Sequence, residues 1–272
     1  GGTAESTALV RDICPGERGS APTQGCKGDL GFYFDADDGA HGRELWRFDA
    51  VSNDASLFAD IAPGAPGSMP HAIVCSGGFV FCLASGNGGH SEVWWMPELD
   101  GRAHPMRDSL PELAKGETRA LVQGGDYAYV CHISGSGMEQ LYRIVTGAGA
   151  LAGAVPALEK VPAFSDTLGL LRSSPVSSEE CSCPIVRDTP LGLFAVVRKS
   201  GLGAELWRSV DGETATLVND LYPGPAGSGP RHLLWHGDRL YFAAELPSSG
   251  VVLCESDGTA EGTGIVTPLT AD

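Results

Sequence analysis

Short apolar runs recur along the chain at a constant spacing. Triplets rich in aromatic and branched residues stand at Phe32-Tyr33-Phe34, Val80-Phe81-Cys82, Ala128-Tyr129-Val130, Leu193-Phe194-Ala195 and Leu240-Tyr241-Phe242. Beyond a glycine-bearing stretch, each is followed by a second run in which apolar and polar positions alternate. These runs are Glu44-Leu45-Trp46-Arg47, Glu92-Val93-Trp94, Gln140-Leu141-Tyr142-Arg143, Glu205-Leu206-Trp207-Arg208 and Val252-Leu253-Cys254-Glu255. The second runs are 48, 48, 65 and 47 residues apart. Period-2 alternation over so few residues, with β-branched and aromatic side chains, predicts short half-buried strands.

A third motif keeps the same phase. Asp60-Ile61-Ala62-Pro63-Gly64 leads to Gly67-Ser68-Met69-Pro70, and Asp220-Leu221-Tyr222-Pro223-Gly224 leads to Gly227-Ser228-Gly229-Pro230. Asp12-Ile13-Cys14-Pro15-Gly16 with Gly19-Ser20-Ala21-Pro22 is a further copy, and Asp108-Ser109-Leu110-Pro111 a worn one. Each unit then reads as four strands. Strand A follows this loop, and a tight turn such as Gly77-Gly78 or Gly237-Asp238 leads to the triplet strand B. A glycine turn leads to strand C, and an Asp-Gly turn, as at Asp211-Gly212 and Asp257-Gly258, leads to strand D.

A unit of this size, repeated about five times, predicts an all-β fold: a β-propeller of about five four-stranded antiparallel blades. The units run approximately over 14–61, 62–109, 110–163, 164–221 and 222–272, within one domain over 1–272. The tryptophans of strand C are then expected in the core between blades. Gly2-Thr3-Ala4-Glu5 matches Gly258-Thr259-Ala260-Glu261, five repeat spacings later, so the chain opens inside a repeat. Residues 1–13 are expected to add an extra strand for ring closure. The long fourth interval is assigned to an insertion over Ser173–Pro190 between strands A and B, a loop anchored by cysteine and the first place to look for function.

The string Asp257-Gly258-Thr259-Ala260-Glu261-Gly262-Thr263, the Glu-Leu-Trp-Arg copies and the Asp-Ile-x-Pro-Gly-x-x-Gly-Ser-x-Pro loops resemble the ELWxxDGT repeat family over nearly the whole chain. That resemblance implies a propeller-forming repeat protein, secreted or surface-attached, and implies no particular reaction. Cys254 in place of tryptophan and the degraded loops at Asp108 and Val161 are departures from the pattern.

Composition narrows the partners. Acidic residues number 34 against 18 basic, a formal net charge of −16. No basic stripe is present to neutralise phosphates, which speaks against nucleic acid and against an anionic membrane surface. No apolar run approaches the ~20 residues of a membrane span. A protein partner, basic in character, suits the charge. Eight cysteines without a Cys-x-x-Cys pair point to disulfides and an extracellular, surface or lumenal oxidising compartment rather than to zinc. Cys14 and Cys26, flanking a Pro-Gly loop, and Cys181 and Cys183 are the disulfide candidates. Cys75, Cys82, Cys131 and Cys254 occupy core positions of the repeat.

Candidate chemistry is sparse. No His-Glu-x-x-His, nucleophile elbow or phosphate loop occurs in its structural context, so no catalytic residue and no cofactor is assigned. The closest approach to a ligand set is Asp35-Ala36-Asp37-Asp38-Gly39, where Asp35, Asp37 and Asp38 offer oxygens to calcium. The same residues equally suit a hairpin turn. The expected function is a non-enzymatic protein-binding or scaffold module. Two alternatives are a carbohydrate-binding lectin-like propeller and a glycan-acting enzyme using the central channel.

Overall fold

The computed structural model describes residues 3–64, 66–86, 89–147, 154–164 and 186–266. The chain divides into two compact units, residues 1–114 with 145–157, and residues 115–144 with 158–272. Among the described residues no helix is long and apolar enough to cross a membrane.

The first unit holds two antiparallel sheets. Sheet one is β1 (Gly25–Lys27), β2 (Phe32–Asp37), β3 (Arg43–Asp49) and β4 (Asp54–Ala59), and sheet two is β5 (His71–Ser76), β6 (Phe79–Ser85), β7 (Ser91–Pro97) and β8 (His104–Pro105). Both are simple meanders in chain order. A four-residue helix, Met106–Ser109, follows β8.

The second unit carries sheet three, β9 (Gly116–Gly124), β10 (Tyr127–Ser134), β11 (Glu139–Val145) and β12 (Ala157–Lys160), whose last strand starts at the boundary of the units. Sheet four is β13 (Val186–Thr189), β14 (Gly192–Lys199), β15 (Gly203–Ser209) and β16 (Thr216–Asn219). Sheet five is β17 (Arg231–His236), β18 (Arg239–Leu246), β19 (Gly250–Ser256) and β20 (Gly264–Ile265).

The strand period decides how the sheets pack. Along each triplet strand the middle residue points to one face and its neighbours to the other. Tyr33 with Leu45 and Ala59 packs on Val80, Cys82 and Ala84 of sheet two. Tyr129 with Cys131 and Leu141 packs on Leu193, Ala195, Val197 and Trp207 of sheet four. Phe194 with Val196 and Leu206 packs on Leu240, Phe242, Ala244 and Cys254 of sheet five. The middle residue thus faces the next sheet in every pair within a unit. Burying a Leu, Val or Phe in this way contributes roughly 1.5–3 kcal/mol each. Trp46 and Trp207 are buried and Trp94 is half-buried. Lys199 lies over the Trp207 ring with its Nζ 3.6 Å from the centroid.

The loop motif joins one sheet to the next through a carboxylate. Glu44 on β3 is fully buried and accepts the amide N–H groups of Ile61 (3.0 Å), Ala62 (3.1 Å) and Ser68 (2.8 Å) and the Ser68 hydroxyl (2.5 Å). Ser68 in turn accepts the Ser85 amide of sheet two at 2.8 Å. Sheet four repeats the device. Glu205 accepts the amides of Tyr222 and Ser228 and the Ser228 hydroxyl, and Ser228 accepts the Glu245 amide of sheet five at 2.7 Å. Gly67 is required here. It has φ 78°, and a Cβ would lie 2.6 Å from the Arg43 backbone.

Two expectations differ from what is observed. Residues 3–24 form no strand, only a 3-10 turn at Ala4–Ser6. Arg11 ties this segment to Asp54 of β4 through a two-pronged side-chain bond, 2.8 Å at each contact, in place of a backbone ladder. The fourth strand of sheet five is supplied by Gly264–Ile265. The second difference is the place of the insertion. β13 ends at Thr189, and the β13–β14 turn follows at once, closed by the Thr189 hydroxyl donating to Gly192 O. The extra residues therefore precede strand A instead of following it. Residues 165–185, with Cys181 and Cys183, lie outside the described residues.

Candidate functional site

The three aspartates put forward for calcium each turn to different protein donors. Asp35 on β2 is buried and accepts Thr23 N (3.0 Å) and Gln24 N (2.8 Å) at Oδ1 and Thr23 Oγ1 (2.9 Å) at Oδ2, with the Arg43 guanidinium also against Oδ2. Burial pushes its carboxyl up, and these donors outweigh it and leave the group below its ordinary value. Asp37 accepts the Gly39 amide at 2.7 Å. Asp38 accepts the Ala40 and His41 amides and pairs with His41 Nδ1 at 2.6 Å. Burial raises Asp38, but the His41 and Ala40 bonds bring it to about 2. No group of three His, Cys, Asp or Glu side chains arranged to hold a metal ion occurs among the described residues.

The cysteine pairing corrects the expected one. Cys26 on β1 is bonded to Cys75 on β5, with Cα atoms 5.9 Å apart. Cys14 is a buried free thiol. The reason is packing. The first strands of sheets one and two lie side by side, as the Ala72 amide donating to Gln24 Oε1 at 2.7 Å also shows. A separation of 49 residues, one repeat plus one, therefore brings two sulfurs together, whereas the short Cys14–Cys26 loop does not.

A polar cleft of about 180 Å³ opens in the second unit between sheets three and four. Its wall on the sheet-three side is Tyr129 of β10, Arg143 of β11, and Glu159 and Lys160 of β12. Opposite stand Asp188 of β13 and the β15–β16 turn from Ser209 to Glu213, with Leu193 and Val161 also lining the space. Tyr129 is buried and donates its hydroxyl to Asp188 Oδ2 at 2.8 Å. Burial first, then the Asp188 charge, push the phenol far above its ordinary pKa, so it stays a donor. Arg143 donates to Glu159 Oε2 from Nε (3.2 Å) and Nη2 (2.5 Å) and lies 5.0 Å from the Tyr127 ring centroid. Asp211 is brought to about 2 by the Thr214 and Glu213 amides, each at 2.9 Å, and the Ala163 amide donates to Gly212 O across the cleft's end.

Four carboxylates (Glu159, Asp188, Asp211 and Glu213) thus border the cleft against two cations, and Arg143 is already paired with Glu159. The arrangement suits an incoming cation. The sequence carries little local trace of it. Tyr129 reads there as a core triplet and Asp211-Gly212 as a turn, because the cleft exists only where the exit of one sheet meets a turn of the next.

No protein-family model matches the chain, and no curated protein matches it. Solved structures do. The chain is similar to a prolyl endopeptidase at 11% identity and TM-score 0.54, over 89% of this chain and 34% of that one. It is similar to a puromycin hydrolase at 14% identity and TM-score 0.54, over 95% of this chain and 40% of that one. A weaker likeness is to TolB from Acinetobacter baumannii, at 13% identity and TM-score 0.46 over 88% and 53%. The chain therefore spans about half, or less, of the length of each of these proteins. With the five sheets, the likeness to the first two defines the fold class: an all-β β-propeller of five four-stranded antiparallel blades. At this identity it speaks to fold alone.

Proposed function

We propose that this propeller is a non-enzymatic binding or scaffold module of a secreted or surface assembly, whose protein partner presents basic side chains to the cleft between sheets three and four. The observation that carries the reading is the charge of that cleft, four carboxylates against two cations in a chain of net charge −16. Charge of one sign in a concave site concentrates opposite charge and speeds encounter. The Cys26–Cys75 disulfide supports an oxidising compartment, and the ELWxxDGT resemblance supports a surface or extracellular setting.

The test is calorimetric titration with an arginine-rich peptide as probe, at low and high salt, on the wild type and Glu213→Lys. Binding should weaken as salt rises, and the variant should bind roughly tenfold less tightly. Affinities that ignore both salt and the variant would overturn the reading.

A further inference from the structure

The gap that forms the cleft between sheets three and four has counterparts between sheets one and two and between sheets four and five, each inside one unit. The register identifies the walls. Tyr33 lies opposite Arg47, Tyr129 opposite Arg143 and Phe194 opposite Arg208. The following sheet contributes an Asp-Gly turn, Asp100-Gly101, Asp211-Gly212 or Asp257-Gly258. Between sheets one and two the space is filled by an aromatic ring. Phe58 meets the Tyr33 ring edge-on with centroids 4.7 Å apart, and a Cβ on Gly101 would lie 3.1 Å from the Phe58 ring. Between sheets four and five the space is filled by a guanidinium. Arg208 donates from Nη1 to Gly258 O (3.2 Å) and from Nε to Leu191 O (2.6 Å), with its Cζ 5.9 Å from the Phe194 ring centroid.

Between sheets three and four neither filling occurs. Arg143 turns back to Glu159 of its own sheet and to the Tyr127 ring, and the space between Tyr129 and Gly212 is left as the cleft. The carboxylates decide which of the two fillings suits it. An aromatic ring like Phe58 would cover charged oxygens with carbon, at a desolvation cost. A guanidinium would pair with them. Asp188 and Glu159 each keep one carboxylate oxygen, Oδ1 and Oε1, that accepts no hydrogen bond among the described residues. The planar fork of a guanidinium can reach two such acceptors at once, whereas an ammonium is a compact point charge. We infer that the cleft is an arginine-selective site, in which a partner's guanidinium takes the place that Arg208 fills between sheets four and five. This rests on the reading of the cleft as a site for basic side chains, and it names which one.

Calorimetric titration of the full chain with two peptides of equal length and charge tests it, one carrying arginine at every basic position and the other lysine. The arginine peptide should bind roughly tenfold more tightly. Asp188→Asn removes a charge and keeps an acceptor for the Tyr129 hydroxyl, and in it the preference should fall to about twofold or less. Glu159→Gln serves the same purpose where Asp188→Asn does not fold. Equal affinities for the two peptides, each weakened by salt and by Glu213→Lys, would overturn the arginine selectivity and leave the cleft a site for basic side chains in general. Failure of both peptides to bind would overturn that broader reading as well. An arginine preference unchanged in both Asp188→Asn and Glu159→Gln would show that its seat is not the cleft.

Discussion

Replacing Glu44 by alanine should be among the most damaging single changes in the chain. Its carboxylate is the shared acceptor of three backbone amides and one hydroxyl from the loop between sheets one and two. Alanine leaves those donors buried without an acceptor, and each unsatisfied donor costs on the order of 1–3 kcal/mol. Three amides at the lower end give about 3 kcal/mol. Part is offset because burial already holds the Glu44 carboxyl above its ordinary pKa, so the wild type bears a desolvation cost that alanine removes. The expected net loss is roughly 2–3 kcal/mol. Glu92 is the internal control. It holds the same place in sheet two but makes a half-exposed ion pair with Arg107 at 3.1 Å, so Glu92→Ala should cost about 0–1 kcal/mol. Guanidinium unfolding followed by tryptophan fluorescence would measure both. A Glu44→Ala/Ser68→Ala cycle should show coupling, because the two residues act on one loop. Equal losses for Glu44→Ala and Glu92→Ala would refute the idea that the carboxylate holds the loop.

Two further outcomes follow from other parts of the molecule. Reducing the Cys26–Cys75 bond, which closes a separation of 49 residues, should lower stability by about 4 kcal/mol; Cys75→Ser should match it and gain no further sensitivity to reductant, and native protein that titrates with every thiol free would contradict the pairing. Asp38, Asp54 and Asp211 are each held at about 2 in the folded chain, below the ordinary 3.8, so their contribution is present above 3.8 and lost as pH falls through about 2. Melting temperatures across that window should drop less steeply in Asp211→Asn, and parallel curves would count against a role for its turn.

Strand positions were legible because the period-2 pattern and the repeat spacing are local properties. The triplets Phe32–Phe34 and Leu240–Phe242 lie in β2 and β18 as their alternation implies. What the side chains do across the repeat was less legible. The glutamate of Glu-Leu-Trp reads as a strand residue, yet it is a ligand for backbone 17 to 24 positions away. A signal for this exists. Glu44 and Glu205 occur with Ser68 and Ser228, whereas Gln140 occurs in a copy whose loop is degraded. Asp35 reads as a metal ligand because its neighbours in sequence are acidic, whereas its neighbours in space are Thr23, Gln24 and Arg43. Cys75 reads as core because its partner is one repeat away. The cleft needed the packing of two sheets before it could be seen.

The bond between Cys26 and Cys75 also changes how the chain would respond to being pulled. A propeller repeat stretched from its ends peels strand by strand, and each freed residue adds up to about 3.4 Å of contour. The segment between the two sulfurs, 49 residues of separation, is excluded from that extension. About 170 Å of slack stays locked until a reductant reaches the bond. Sheet one and the first strand of sheet two therefore form a loop that tension bypasses, so the first unit yields less length under load than its residue count implies.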